Sequence, residues 1–344
     1  MSFASARKSR SVSFWLGFMT FLVVIMILVG GATRLTNAGL SITEWRPVSG
    51  AMPPLSDTAW ASEFDKYKLI PEFNAENPDM ELAGFKFIYF MEWSHRQLGR
   101  FIGMAYLLPF LLFLGLGKLE RGKRLRFLSI LLLIGLQGAI GWWMVASGLV
   151  NGRIDVSQYR LATHLGMAFV ILAFLFWTWI DQRQAWPASH IDPRFKNRTI
   201  ILFLLVFLQI IAGAFVAGTH AGQSYNTWPL MDGGLVPGGY FAMHPWWINI
   251  FENVASIQFN HRMLGYGTFI MGLWVWGSAK HYRETHVIQA SSWLLAALFF
   301  QIILGVVALL KIVELPYALA HQFGAIIVFL CAVSVMRSAR ARTY

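Results

Sequence analysis

Eight long apolar runs separated by polar segments set the pattern of this chain. They cover roughly residues 13–33, 93–116, 127–148, 161–180, 199–218, 257–278, 289–310 and 315–336. Each is close to the ~20 residues that cross a hydrocarbon layer of about 30 Å. A lipid-buried backbone has no water to bond, so the runs predict α-helices. The last two are parted only by the short turn from Lys311 to Glu314. The first, Ser13 to Thr33, is longer than the ~7–15 apolar residues of a secretory signal and is read as a retained helix.

Composition agrees with the pattern. Only 13% of the 344 residues are charged, against about 25% in a soluble domain. A net charge of +11 could suit nucleic acid, but the distribution argues otherwise. With the N-terminus inside, 17 Lys and Arg fall in inner segments and 8 in outer ones. The inner set begins with Arg7, Lys8 and Arg10 and ends with Arg337, Arg340 and Arg342. This positive-inside bias predicts that both termini are cytoplasmic and that the partner is a lipid bilayer, not a nucleic acid. The single cysteine, Cys331, excludes an intrachain disulfide and a CxxC motif.

The halves resemble each other. Ala38-Gly39-Leu40-Ser41 with Trp45 follows the first run; Ala221-Gly222-Gln223-Ser224 with Trp228 follows the fifth, 183 residues later. Glu92-Trp93-Ser94-His95-Arg96-Gln97-Leu98-Gly99 returns, altered, as Gln258-Phe259-Asn260-His261-Arg262-Met263-Leu264-Gly265. His164 and His321 are similarly paired. The expected fold is an all-α polytopic membrane protein. Its eight transmembrane helices form two tandem four-helix bundles in parallel repeat, residues 1–190 and 191–344.

Candidate chemistry lies on the even-numbered spans. His95, His164, His261 and His321 each fall near the outer start of one. A lone membrane histidine is commonly a hydrogen-bonded packing residue. Four at matched depth, two per half, suit the axial positions of two haems; a zinc or copper site usually wants three or four ligands. Arg96 and Arg262 follow two of these histidines and could meet haem propionates or snorkel to the headgroups. Glu92, three residues before His95, is replaced by Gln258 in the second half. A carboxylate can stabilise developing positive charge or carry a proton, so the first half is read as the reaction site. The second half is left for electron transfer or structure. The bland reading of Glu92 is an acid near a helix N-terminus, favoured there by about 0.3–1 kcal/mol.

Arg34-Leu35-Thr36, the Ala38–Ser41 stretch with Trp45, the EWSHRQLGR and NHRMLG stretches, and His164 and His321 together resemble the haem A synthase family across all eight spans. The outer loops lack the paired cysteines of one branch, which points to the alphaproteobacterial and mitochondrial branch. The resemblance implies oxidation of a methyl group of haem O to a formyl group through an alcohol, giving haem A for cytochrome oxidase. It implies that His95 and His164 receive the substrate haem and that His261 and His321 hold haem B. It makes Glu92 the essential acid. Haem O synthase and oxidase assembly factors become the expected partners, with room for a homo-oligomer, in a bacterial inner membrane with the haem sites near the periplasmic face. Two histidines close an iron, so either a first-half histidine leaves it during turnover or the substrate is oxidised by electron loss. A bis-His cytochrome that reacts with quinone and a transporter or metal exporter are the rival readings.

Overall fold

The computed structural model describes residues 9–150, 152–183, 191–282 and 284–340. Arg7, Lys8, Arg283 and Arg342, counted among the inner charges, lie outside the described residues. Apart from one isolated bridge between Met231 and Gly234, the described residues contain helices, turns and loops only.

Eight of the helices are long: α1 (Arg10–Leu35), α4 (Leu82–Gly115), α5 (Arg124–Val145), α6 (Gln158–Arg183), α7 (Pro193–Gly218), α8 (Val254–Ala279), α9 (Thr285–Leu310) and α10 (Leu315–Ser338). Two short ones, α2 (Asp57–Lys68) and α3 (Pro71–Glu76), lie in the segment between α1 and α4. Seven of the long helices are apolar enough to cross a membrane by length and composition, which makes the chain a multi-pass membrane protein. The sequence pattern gave eight spans; α8 has the length, 26 residues, but is not among the seven. Gln258, Asn260, His261 and Arg262 crowd its N-terminal third and lower its average hydropathy.

The described residues fall into two compact units, Met1–Leu172 and Ala173–Tyr344. In the first, α1 packs on α4, and α4 on α5 and α2. The pattern began the second span at residue 93, but α4 starts at Leu82 and runs for 34 residues. At 1.5 Å per residue it is about 50 Å long, well beyond the hydrocarbon layer. Lys86 and Glu92 interrupt the hydropathy without interrupting the helix. Phe85, Ile88, Tyr89 and Glu92, spaced on one helical face, are buried. The first three join Trp60, Phe64 and Tyr67 of α2 in one core cluster with Ala38, Leu40 and Ile42. That cluster clamps the segment after α1 against the face of α4 that leads to His95.

Farther along α4, Pro109 sits inside the helix. It has no N–H, so the carbonyl four residues earlier loses its usual donor. That carbonyl, Ala105 O, is taken by the Trp15 indole N–H of α1 at 2.9 Å. In the second unit α7 packs on α8, α8 on α9, α9 on α10, and α10 back on α7, closing a four-helix ring. The side chain of Asn253 caps α8 by accepting from Ala255 N and Ser256 N, satisfying donors that a helix start leaves open.

Candidate functional site

The four histidines stand in one recurring arrangement. His95 is on α4, His164 on α6, His261 on α8 and His321 on α10, and each ring is wedged against a glycine of the preceding long helix. A Cβ added at Gly30, Gly141 or Gly305 would come within 2.7, 2.8 and 2.8 Å of Cε1 of His95, His164 and His321. At Gly213 the distance to His261 Cε1 is 3.2 Å. A side chain at the first three places would push the imidazole aside, and at the fourth would crowd it. All four histidines are only partly buried. Within each unit the two imidazoles, His95 with His164 and His261 with His321, are close enough to interact electrostatically. Among the described residues no three His, Cys, Asp or Glu converge as a metal-binding group.

A second recurrence lies one turn before each glycine. Gln137 Nε2 is 3.0 Å from His164 O and 3.2 Å from His164 Nδ1. Gln301 repeats this on His321 at 3.0 and 3.1 Å; Gln209 repeats the carbonyl contact on His261 at 3.0 Å but lies across the ring, 3.3 Å from Nδ1 and 3.4 Å from Nε2. These glutamines and glycines were not singled out from the sequence. A signal was present, since Gln137/Gly141, Gln209/Gly213 and Gln301/Gly305 share a four-residue spacing. The first copy reads Met26/Gly30, which hides the pattern.

Glu92 is 3% exposed and fully engaged. Its Oε2 lies 2.8 Å from Ser41 Oγ and accepts the Ile42 N–H at 2.8 Å. Its Oε1 accepts from Arg96 Nε at 3.1 Å and Nη2 at 2.6 Å. Arg96 donates further to Ile42 O and Glu44 O and lies over the Trp142 ring. Gln258 is buried to the same 3%, in a frame of different polarity. Its Nε2 donates to Ala221 O and Ser224 O, and its Oε1 accepts from Arg262 Nη2 at 2.8 Å. Arg262 in turn donates to Tyr225 O and Thr227 O. Ile42 and Glu44 stand 183 residues before Tyr225 and Thr227, the offset already seen in the loop motif. Both arginines thus tie an interhelical segment to its helix. Around position 92 the surroundings supply donors alone, and around position 258 they supply two carbonyl acceptors and one guanidinium donor, so carboxylate and amide are each matched to their place.

Arg100 belongs to the same tether in the first unit, donating to Pro47 O, Arg46 O and Gln97 Oε1. Its counterpart Tyr266 instead accepts from the Trp228 indole through its hydroxyl. The donor set fits haem in kind. Imidazole rings held edge-on by glycine suit axial ligation, and the buried Nε of Arg262 has no protein partner.

Comparison with known proteins gives a concordant result. The family described as cytochrome oxidase assembly protein matches residues 13–333. A protein of Maricaulis maris named heme A synthase is 49% identical over 99% of this chain and 99% of its own length. Others of that name, from Parvibaculum lavamentivorans and Bradyrhizobium diazoefficiens, are each 46% identical; they cover 94% and 96% of this chain and 93% and 92% of their own lengths. Continuous likeness of this depth, with the repeated histidine frames, shows that the chain belongs to the haem A synthase family.

Proposed function

We propose that this protein is a haem A synthase, an oxidoreductase that converts a methyl group of haem O into the formyl group of haem A for cytochrome oxidase. The observation that carries the reading is a change of polarity on the loop side of two otherwise matching frames: Ser41 and Ile42 donate to Glu92, whereas Ala221 and Ser224 accept from Gln258. In this reading the first half, residues 1–190, is the catalytic bundle and the second, 191–344, the electron-transfer bundle. The two are a tandem parallel repeat, with α8 completing eight spans. The polar start of α8 is tolerated because it faces a site rather than lipid.

His95 and His164 would hold the substrate haem, and His261 and His321 a resident haem B. Haem B would supply one-electron redox chemistry. Arg96 has five N–H donors, of which four are used, leaving one on Nη1 for a propionate. Arg262 retains its Nε–H. Glu92 already accepts four hydrogen bonds. That supports a fixed anion that steadies positive charge developing at the substrate methyl carbon, rather than a proton carrier. Removing hydrogen from the methyl and adding the oxygen of water releases four electrons and four protons in all, so an external electron acceptor is required.

The inner-segment excess of Lys and Arg, and relatives that come from bacteria, support the bacterial inner membrane, with both termini cytoplasmic and the histidines near the periplasmic face. Haem O synthase is the partner that would deliver substrate, and oxidase assembly factors would receive product. The test is pigment extraction from the purified protein, with and without co-expressed haem O synthase, followed by chromatography. Haem B together with haem O or haem A is expected. Haem B alone in both preparations would favour a quinone-reactive cytochrome, and a colourless protein a transporter.

A further inference from the structure

The glutamine that accompanies three of the histidines is missing from the fourth. On α1 the equivalent position is Met26, four residues before Gly30, just as Gln137, Gln209 and Gln301 stand four residues before their glycines. The geometry agrees with the register. Met26 Cε lies 3.2 Å from the place where a Cβ would stand on Gly99, and Gln209 Nε2 lies 3.3 Å from the same place on Gly265. The thioether thus occupies the site of the amide. Its consequence is direct: His95 Nδ1 is buried with no hydrogen-bond partner, whereas Nδ1 of His164, His261 and His321 each has an amide within 3.3 Å. As placed, the amide offers Nδ1 its NH2; turned, it offers an Nδ1–H its oxygen at the cost of the bond to the histidine carbonyl. A partner on Nδ1 is what fixes the orientation and raises the basicity of a metal-bound imidazole.

From this asymmetry we infer that Gln137, Gln209 and Gln301 are positioning residues that lock three of the imidazoles, and that Met26 leaves His95 as the exchangeable ligand of the first-half pocket. This rests on the haem reading above and extends it. Of the two residues that would hold the substrate haem, His95 on α4 would be the one to yield, and His164, contacted by Gln137, the one to stay. The exchange is of a neutral imidazole, so it moves no electron and leaves the charge of the site unchanged. It also places the opening on the helix that carries Glu92, one helical turn away.

The test uses the reduced, haem-loaded protein and carbon monoxide, which binds only where an axial ligand yields. The two haems are read separately by the red-shifted bands of a formyl haem. In the wild-type protein the first-half haem is expected to take up carbon monoxide and the second-half haem to resist it. Met26→Gln should weaken that uptake by roughly tenfold or more, and Met26→Leu, which restores no amide, should leave it as it is. Gln301→Met should make the second-half haem newly reactive. Uptake unchanged in Met26→Gln, weakened equally in Met26→Leu, or absent from Gln301→Met would overturn this inference while leaving the haem reading intact. A colourless wild-type protein would overturn the haem reading itself, and this one with it.

Discussion

At the scale of single residues, polarity matching does most of the discriminating. Glu92 and Gln258 occupy like positions, yet neither could take the other's place cheaply. A glutamine at 92 would turn an amide N–H2 toward the Ile42 N–H, leaving buried donors unpaired at about 1–3 kcal/mol. Glu92→Gln is expected to abolish haem A while haem O still co-purifies, a split that chromatography of the extracted pigment reads; normal haem A content would remove Glu92 from the chemistry. The glycines grade themselves by distance. Alanine at Gly141 or Gly305 should sharply lower haem per chain, and alanine at Gly213, where the ring stands 3.2 Å away, should lower it least. Pyridine-haem assay of the purified variants checks the order.

Glu72 shows a different residue-level effect, in the segment between α1 and α4. It is 4% exposed, and burial pushes its carboxyl up to about 7, opposed by the hydrogen bond from the Tyr67 hydroxyl. A carboxyl raised in the folded state keeps its proton between the ordinary carboxylate range and pH 7 while the unfolded chain loses it. Stability therefore falls as pH rises through that window, by roughly 3 kcal/mol at most for the group. Glu72→Gln should flatten this fall, and melting temperatures of the two proteins between pH 5 and 8 measure it.

At the scale of elements, α4 governs the first unit. Its first three turns anchor the segment between α1 and α4 through Phe85, Ile88 and Tyr89, its middle carries Glu92, His95 and Arg96, and its C-terminal part is tied to α1 through Pro109 and Trp15. The Trp15 indole matters because the proline frees the Ala105 carbonyl. Trp15→Phe should cost about 1–3 kcal/mol in unfolding, and less when Pro109→Ala is also present, because the helix then supplies the donor. A double-mutant cycle followed by thermal melting isolates that coupling. Most of the helices could be read from apolar runs of the required length, and the histidines from the recurring HRxLG stretch. The early start of α4 could not, because Lys86 and Glu92 depress hydropathy at positions that face α2 and the segment after α1. Nor could the Gln and Gly partners, which meet their histidines only across helix pairs, at sequence separations of 16 to 65 residues.

At the scale of the whole molecule, one local design is used four times and altered twice. Glycine cradles each imidazole, an amide lies against three of them, and a carboxylate takes the place of an amide in one of the two loop-to-helix frames. Both alterations, Met26 and Glu92, fall around His95. Haem content and identity per chain, measured in the wild-type protein and in two paired variants, test this most directly. With haem O synthase co-expressed, His261→Ala/His321→Ala should lose haem B and keep haem O, and His95→Ala/His164→Ala should lose haem O and haem A and keep haem B. Equal loss of every haem from both well-folded variants, or no loss from either, would contradict the assignment of one haem to each pair of histidines.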